Sequence, residues 1–524
     1  MKNMRNSIRK KKSILSEEKG TTTKEKIEKT FTEELIIGIC FPIGSLREIV
    51  IDSIKKRLEN GYDYEVEIIK LSDFIRQYYN EERIIERGKT EKYSELIYKI
   101  SGGDYLRETY ENRSILVELA IKNIREDREK KTEDIKGRRK CYIIDSLKNI
   151  EELKLLRTVY REIFYLFGIF SPKKERKNTL ANKGLSKEEA KEIVAKDEYE
   201  DNIHGQDVRN TFIEADFFVR ISNCNRKDID KKIEKYFHLI FNSDIITPDY
   251  YETAMYNAKS AAGNSACLSR QVGAAITDKN GVSIATGWND APKFGGNLYR
   301  YTDKSPQRCK ELGYCSNVKQ KNGAFDEIFD KIEKKINESK TSEGLKLVKS
   351  NNNTWEAVKG IIKKSKFKDI IEYSRSIHAE MHAIIIGSQL TGNKMIGGNL
   401  FCTTYPCHNC ARHIILAGIK NIYYIEPYKK SLGITLHQDS LTEDETDETK
   451  VRILLYDGVA PRRYLDFFSI NSEDRKTDDG KIKKVNLKKA VPKARLSLQA
   501  IPELENQAIH ALHECGLIEG DDNE

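Results

Sequence analysis

The chain has 524 residues, a formal net charge of +9 and 38% hydrophobic residues. A chain of this length is too long to fold around a single hydrophobic core, so two domains are expected. No apolar run approaches the roughly 20 residues of a membrane-spanning helix, and no apolar segment follows the basic N-terminus, so we expect a cytoplasmic protein. The ten cysteines are then expected to be reduced thiols and metal ligands.

Residues 1–32 are predicted to form a basic, disordered tail. The first 30 residues carry ten Lys or Arg against four Glu, a surplus that makes up most of the net charge. A short Lys-rich terminus is typically solvated, so we assign it no nucleic-acid function.

Residues 33–243 are predicted to be an α/β domain with a parallel sheet, because short apolar runs alternate there with amphipathic stretches. Strands are expected at 34–40, 65–71, 141–146 and 215–221, a helix at 46–58, and a helix-to-strand passage over 159–170. A glycine loop joins the first strand to the first helix, which is typical of a nucleotide-binding unit.

This loop departs from the Walker A pattern of Gly-x-x-x-x-Gly-Lys-Ser/Thr. Gly38 and Gly44 are one residue too far apart, and Ser45 stands where the lysine is expected. Phosphoryl transfer is therefore not expected, although backbone N–H groups around Gly44 still suit an anion. Asp145 ends a predicted strand and is the candidate acid of this site. The domain is interpreted as a nucleotide or regulator sensor, with a purely structural role as the alternative.

Residues 244–470 are predicted to be a second α/β domain. Its expected elements are a helix at 250–260, a β-hairpin formed by 267–277 and 282–289, and strands at 421–425 and 452–456. Residues 291–375, rich in Lys, Asn and Ser, interrupt the pattern and are interpreted as an insertion with one amphipathic stretch at 325–336, functional or disordered. Residues 471–524 are predicted to be a charged C-terminal extension.

The second domain carries a split metal signature, His378-Ala379-Glu380 followed by Pro406-Cys407-His408-Asn409-Cys410. One imidazole and two thiolates from His378, Cys407 and Cys410 give Zn²⁺ three ligands and leave the fourth position open, as in catalytic zinc sites. Glu380 lies two residues from a ligand and is predicted to transfer protons. This arrangement is the signature of zinc-dependent nucleobase deaminases. Both halves fall at predicted helix starts, whose partial positive charge favours thiolates.

The sequence alone leaves two other metal arrangements as alternatives. A closed structural zinc site would take His408, His382 or His413 as its fourth ligand. Cys309 and Cys315, in the insertion, are candidates for a second zinc site, with unpaired thiols as the alternative.

The segment from Cys402 to Arg412, Cys-Thr-Thr-Tyr-Pro-Cys-His-Asn-Cys-Ala-Arg, resembles the zinc segment of deoxycytidylate deaminases. The runs 272–276 and 286–289 resemble the hairpin that carries nucleotide-binding residues in that family. This resemblance implies a cytidine-deaminase-like three-layer α/β/α fold, with Asn289 on the deoxyribose and Arg270 near the 5′-phosphate.

The order of the two domains resembles the bacterial antiphage deoxycytidylate deaminases, in which a P-loop kinase-like domain precedes the deaminase domain. Segments 144–149, 207–212 and 287–297 carry this resemblance. It implies deamination of dCTP and dCMP during phage infection, restraint by a small RNA or a thymidine nucleotide, and a homo-oligomer, a hexamer in particular. The alternatives are a polynucleotide cytidine deaminase, which the near-neutral body of the chain disfavours, and a non-catalytic nucleotide or RNA sensor with structural zinc.

Overall fold

The structure is a computed structural model that describes residues 22–79, 88–130, 138–199, 207–222, 225–338, 349, 351–365, 370–428, 430–470, 475–497 and 500–518. The chain divides into two compact units, the first formed by Met1–Thr247 and Asp457–Glu524 and the second by Pro248–Tyr456. Most of the predicted basic tail lies outside the described residues; its end contains a short helix, Thr23–Glu28. Among helices in the described ranges, none is long and apolar enough to cross a membrane.

The strands of the described residues are short and fall into two sheets. In chain order they are β1 Leu35–Cys40, β2 Glu65–Lys70, β3 Lys140–Asp145, β4 Phe164–Phe170, β5 Phe217–Arg220, β6 Gly273–Thr277, β7 Ser283–Trp288, β8 Asn399–Thr404, β9 Asn421–Glu426, β10 Leu441–Thr442, β11 Val451–Leu455 and β12 Gly458–Val459.

The helices of the first unit follow its strands in alternation. They are Arg47–Tyr62, Leu71–Tyr78, Glu91–Thr109, Ile115–Lys130, Ile150–Tyr160, Lys173–Asn182, Lys187–Tyr199, Val208–Phe212, Arg226–Phe241, Tyr464–Phe468 and Ile501–Glu514. Those of the second unit are Tyr250–Ala262, Cys309–Leu312, Ser316–Glu338, Asn352–Lys364, Ala379–Thr391, His408–Leu416 and Gly433–Leu436.

The first sheet has the order β12-β5-β4-β1-β3-β2. β1 pairs in parallel with β3 on one side and β4 on the other, and all six of its residues are buried. A central parallel strand is covered on both faces, which explains the unbroken apolar run of its sequence. The predicted parallel α/β unit is therefore confirmed at the level of its strands.

The expected end of the second domain at residue 470 is corrected by the structure. β12 pairs antiparallel with β5, so Gly458–Val459 extend the first sheet. The predicted C-terminal extension also contributes to this unit, because the helix Ile501–Glu514 packs against Ile115–Lys130 with Ile501 and Leu512 fully buried. Residues after Asp457 thus complete the first unit.

The second sheet has the order β10-β11-β9-β8-β6-β7, with β6 antiparallel to both neighbours and the remaining pairs parallel. A Cβ added to Gly273 would lie 1.9 Å from the Ala258 carbonyl oxygen, and one added to Gly287 would lie 2.4 Å from that of Ala379. The register pairs Gly287 with Ala274, so the two glycines face opposite sides of the sheet. The helices Tyr250–Ala262 and Ala379–Thr391 therefore cover opposite faces, giving three layers.

The insertion contains more helix than its sequence predicted. The expected stretch 325–336 lies within Ser316–Glu338, and a further helix, Asn352–Lys364, follows. Trp355 stacks edge-on against Phe329, and its indole N–H donates to Glu333 at 2.9 Å. A small aromatic cluster thus joins the two helices.

Candidate active site and anion site

Two helix N-termini hold the metal signature. His378 is the N-cap residue of Ala379–Thr391, and Cys407 is the N-cap residue of His408–Leu416. The Cys407 sulfur accepts the backbone N–H of Cys410, so a ligand atom satisfies one of the N–H groups left free at the helix start. The loop carrying Cys407 follows β8 directly, which places the site at the carboxyl edge of the parallel part of the sheet.

Three side chains converge at this edge. The Nδ1 atom of His378 lies 3.3 Å from the Sγ atoms of both Cys407 and Cys410. Ligand atoms of these three residues all lie within 4.8 Å of one another, and no other metal-holding group occurs in the described part of the chain. Two soft thiols and an imidazole are the donors that zinc prefers, so the residues fit the predicted ion.

The protonation of the ligands is set by their mutual hydrogen bonds. The bond from Cys410 lowers the pKa of the Cys407 thiol to about 4, and the same contact raises the pKa of Cys410 well above its usual range. The hydrogen bond with Cys407 raises the pKa of His378 to about 9. One thiol is thus already ionised, while Cys410 and His378 each hold a proton that a metal replaces.

Glu380 lies in the first turn of Ala379–Thr391 and is only 4% exposed. Burial raises the pKa of its carboxyl group, with the neighbouring Cys407 acting in the same direction and His378 opposing it. A buried carboxylate with a raised pKa, beside a three-ligand site, suits proton transfer at the open coordination position.

The three histidines considered as a fourth ligand have other partners. His382 accepts the Trp288 backbone N–H at 3.2 Å and lies 3.1 Å from the Asn297 side-chain oxygen. His413 contacts the Asn409 carbonyl oxygen at 2.7 Å, and His408 lies 3.7 Å from Glu372. These contacts favour the open, catalytic arrangement over the closed one.

Asn289 and Arg270 lie together beside the start of β6. The Asn289 side chain accepts the Val272 backbone N–H at 2.7 Å and donates to the Arg270 carbonyl oxygen at 2.9 Å. Asn289 therefore fixes the segment that presents Arg270. The Arg270 guanidinium, 44% exposed, forms an ion pair with Glu426 at 2.9 Å.

Glu426 is a site residue that the sequence analysis missed. It ends β9 opposite Thr404, at the same sheet edge as Cys407, and its carboxylate accepts the Thr404 hydroxyl at 3.4 Å. The available signal was that Glu426 is an acid directly after the predicted strand 421–425.

Cys309 and Cys315 do not share a site. Cys309 is buried with its sulfur 3.8 Å from the Ser376 hydroxyl, whereas Cys315 lies 3.6 Å from the Ser269 hydroxyl. Neither belongs to a metal-holding group of the described residues.

In the first unit, Gly38 lies within β1 and not in the loop that follows it. A Cβ there would lie 2.5 Å from a Leu147 methyl carbon, so the glycine permits close packing. Gly44, with φ of +86°, and the buried Ser45 do lie in the loop. Asp145 ends β3 beside it, and its carboxylate accepts the Arg47 guanidinium at 3.0 Å. Three of the four predicted residues are thus brought together.

The family described as the cytidine and deoxycytidylate deaminase zinc-binding region matches residues 248–426. This region is the zinc-binding part of a deaminase, an enzyme of the hydrolase class. The match contains the three predicted metal ligands and Glu380, and the metal of the deaminase unit is zinc.

Relatives match parts of the chain. ComE operon protein 2 of Bacillus subtilis (strain 168) is 40% identical over 79 residues, 13% of this chain and 41% of that protein. The deoxycytidylate deaminase of Enterobacteria phage T4 is 28% identical over 182 residues, 34% of this chain and 79% of that protein. The apo crystal structure of dCMP deaminase from the cyanophage S-TIM5 is 20% identical, covers 40% of this chain and 99% of that chain, and gives a TM-score of 0.21.

Proposed function

We propose that the deaminase unit hydrolyses deoxycytidine nucleotides, dCMP and dCTP, to the corresponding deoxyuridine nucleotides and ammonia. The observation that carries this proposal is the buried Glu380 beside three converging zinc ligands. A structural zinc site has four protein ligands and does not require a buried proton acceptor. Hydrolytic deamination requires a proton acceptor beside the open coordination position.

Zinc, when bound, supplies Lewis-acid activation of a water molecule, lowering its pKa toward about 7. Glu380 accepts the proton of the attacking water and delivers it to N3 of the cytosine ring. Once the C4–O bond has formed, Glu380 takes up the second proton of the former water, that of the hydroxyl group at C4, and passes it to the amino group. The C4–N bond then breaks, the C4 carbonyl forms, and the amino group leaves as ammonia. Burial of Glu380 keeps its pKa high enough for it to return the proton.

Arg270 is proposed to receive the 5′-phosphate. It lies next to Asn289, whose carbonyl oxygen accepts the Ser265 hydroxyl at 2.6 Å and whose side chain fixes residues 270–272. A phosphate approaching Arg270 competes with Glu426 for the guanidinium, and a nucleotide carries enough negative charge to do so. A nucleoside lacks that group and gains nothing from this arginine.

The test is ammonia release with product chromatography on dCTP, dCMP, CTP, deoxycytidine and a cytosine-containing oligonucleotide. Conversion of dCMP or dCTP by the native chain, absent from Glu380→Gln with zinc retained, supports the proposal. Turnover of the oligonucleotide alone favours a polynucleotide deaminase, and no turnover with full zinc occupancy favours a sensor. Arg270→Ala is expected to raise KM for dCMP while leaving deoxycytidine turnover unchanged.

The first unit is proposed to be P-loop kinase-like and to regulate the deaminase. Its parallel strands have the order β2-β3-β1-β4-β5, with a glycine loop and helix after the central β1. Ligands of open α/β sheets bind at the carboxyl edge where the strand order reverses, which here is beside β1. Titrating a thymidine nucleotide or a candidate small RNA into the deamination assay tests this role.

Depletion of dCTP as an antiphage defence in the cytoplasm is the cellular role proposed from the sequence resemblance. Infecting cells that carry the native chain or Glu380→Gln, and measuring dCTP and phage yield, tests it. A zinc-dependent fall in dCTP restricted to the native chain is the expected result.

Assembly into a homo-oligomer is also proposed, with the hexamer resting on the sequence resemblance alone. Exposed apolar side chains of the deaminase unit support association of this kind. Leu390, Ile396 and Leu416 are 71%, 63% and 86% exposed, and a Cβ at Gly418 would contact Ile396. Large exposed apolar side chains favour burial against another protein surface. Light scattering on the native chain and Leu416→Lys tests this, with a lower mass for the variant expected.

A further inference from the structure

The loop of residues 41–46, between β1 and Arg47–Tyr62, is bound by a carboxylate of its own chain. The Ile43 backbone N–H donates to the Asp197 side chain at 2.8 Å. The Arg176 guanidinium donates to the same oxygen at 3.1 Å, and the Lys148 ammonium lies 3.6 Å from the other oxygen. The side chains of Asp197 and Arg176 are 1% and 2% exposed, and that of Lys148 is 10% exposed.

The two cations are fixed by the loop independently of Asp197. The Arg176 Nε–H donates to the Ile43 carbonyl oxygen at 2.7 Å, and the Lys148 ammonium donates to that of Phe41 at 2.6 Å. A Cβ at Gly44 would lie 2.7 Å from the Arg176 carbonyl oxygen, so glycine permits this close approach. The donors are therefore held in place around the loop whatever anion they meet.

The loop also holds hydrogen-bonding capacity that its present partners do not use. Within the described residues, the buried Ser45 hydroxyl has no hydrogen-bond partner, and neither has the second Asp197 oxygen. A carboxylate offers two oxygens to this set of donors, whereas a phosphate offers three. Backbone N–H groups of a glycine loop, an arginine and a lysine are the donors that hold nucleotide phosphates.

We propose that loop 41–46, Arg176 and Lys148 form a phosphate-binding cradle, and that Asp197 occupies it as an internal competitor which a nucleotide phosphate displaces. The inference rests on the regulatory role proposed for the first unit and adds the residues and the ligand class. Displacement releases the end of the helix Lys187–Tyr199 from the loop, so anion binding changes the contacts of that helix.

A second buried carboxylate provides a matched control. Asp216 accepts the Leu166 backbone N–H at 2.7 Å and pairs with Arg462 at 2.6 Å. It precedes β5, so it lies at the amino edge of the same sheet, away from the glycine loop. Its local chemistry resembles that of Asp197, but the fold gives it no nucleotide-binding position.

The experiment titrates the full-length chain with sodium tripolyphosphate and measures binding by calorimetry and thermal melting. Asp197→Asn removes the competing charge and is expected to bind about tenfold more tightly than the native chain. Asp216→Asn is expected to bind like the native chain. Adding Lys148→Met to Asp197→Asn is expected to abolish the gain.

Equal affinity of Asp197→Asn and the native chain overturns the proposal, and so does an equal gain in Asp216→Asn. Because Asp197→Asn removes the negative charge that Arg176 and Lys148 contact, its melting temperature is also informative. A melting temperature that falls without anion and recovers with tripolyphosphate supports the cradle, whereas a variant unfolded at every concentration contradicts it. Deamination is not the readout, so failure here is distinct from failure of the proposed enzyme activity.

Discussion

The Nδ1 atom of His378 lies 3.3 Å from the Sγ atom of Cys407, although the two residues belong to different helices 29 positions apart. The contact exists because each residue caps the N-terminus of its helix. Two helix starts that meet at one sheet edge direct their partial positive charge at the same point. The placement of the two helices therefore assembles the site. The helix Ala379–Thr391 packs against β7 and positions His378 and Glu380.

Zinc affinity should depend steeply on pH. Between pH 6 and pH 8, Cys407 is ionised, with its pKa lowered to about 4, while Cys410 and His378 are protonated because their pKa values are raised. Binding then releases two protons, so the apparent affinity should fall about 100-fold for each unit that the pH decreases. Competition with a chromogenic chelator measures the slope. The variant His413→Gln alters no predicted metal ligand and should show the same pH dependence. A tenfold change in affinity per pH unit, which corresponds to release of one proton, would contradict the protonation states assigned to Cys410 and His378.

Glu380→Gln should reduce kcat for dCMP by about 10²–10⁴-fold, because the amide cannot accept the proton of the attacking water. Zinc content should stay at the native level, since Glu380 is not a ligand. Steady-state kinetics with metal analysis on the same samples gives both values. Glu327→Gln, on the exposed face of Ser316–Glu338, serves as the control and should match the native chain.

The sequence was sufficient for the parts of the fold and site that depend on local pattern. The convergence of His378, Cys407 and Cys410 and the strands of the first sheet follow from spacing and apolar runs. The substrate-binding roles of Asn289 and Arg270 rest on family likeness and stay predictions. The Arg270–Glu426 and Asp197–Ile43 contacts escaped prediction because tertiary packing alone joins their elements. Gly38 lies inside the strand predicted for it, but the sequence could not show that its missing side chain makes room for Leu147.

The C-terminal helix and the unit boundary were missed for a related reason. The segment after residue 471 is charged, and its apolar residues become a helix face only when they have a partner to bury against. β12 has two residues, too few to give a strand pattern. Its pairing with β5 is a long-range contact that no local window contains.

Gly287→Ala should disrupt the deaminase unit. The new methyl group would lie 2.4 Å from both the Ala379 carbonyl oxygen and the Ala383 backbone nitrogen, forcing β7 away from the helix that carries Glu380. We expect a loss of about 1–3 kcal/mol in the free energy of unfolding, with reduced zinc retention. Gly323→Ala, in the helix Ser316–Glu338 with no atom near the added carbon, should instead gain about 1 kcal/mol. Chemical denaturation measures both, and equal effects would contradict the packing argument.

The C-terminal helix should be required for the stability of the first unit. Leu512 is fully buried, and Glu505 is buried where it contacts Arg128, which also donates to Glu34 at 2.7 Å. Leu512→Ala should cost about 2–5 kcal/mol, because it removes buried methyl groups and leaves a cavity between this helix and Ile115–Lys130. Gln507→Ala, on the exposed face, should change stability by about 0.5 kcal/mol or less. Thermal melting combined with zinc analysis reports on the two units separately. Leu512→Ala should lower the melting temperature of the first unit while the deaminase unit keeps its zinc. A melting profile like that of the native chain would show that the helix does not dock.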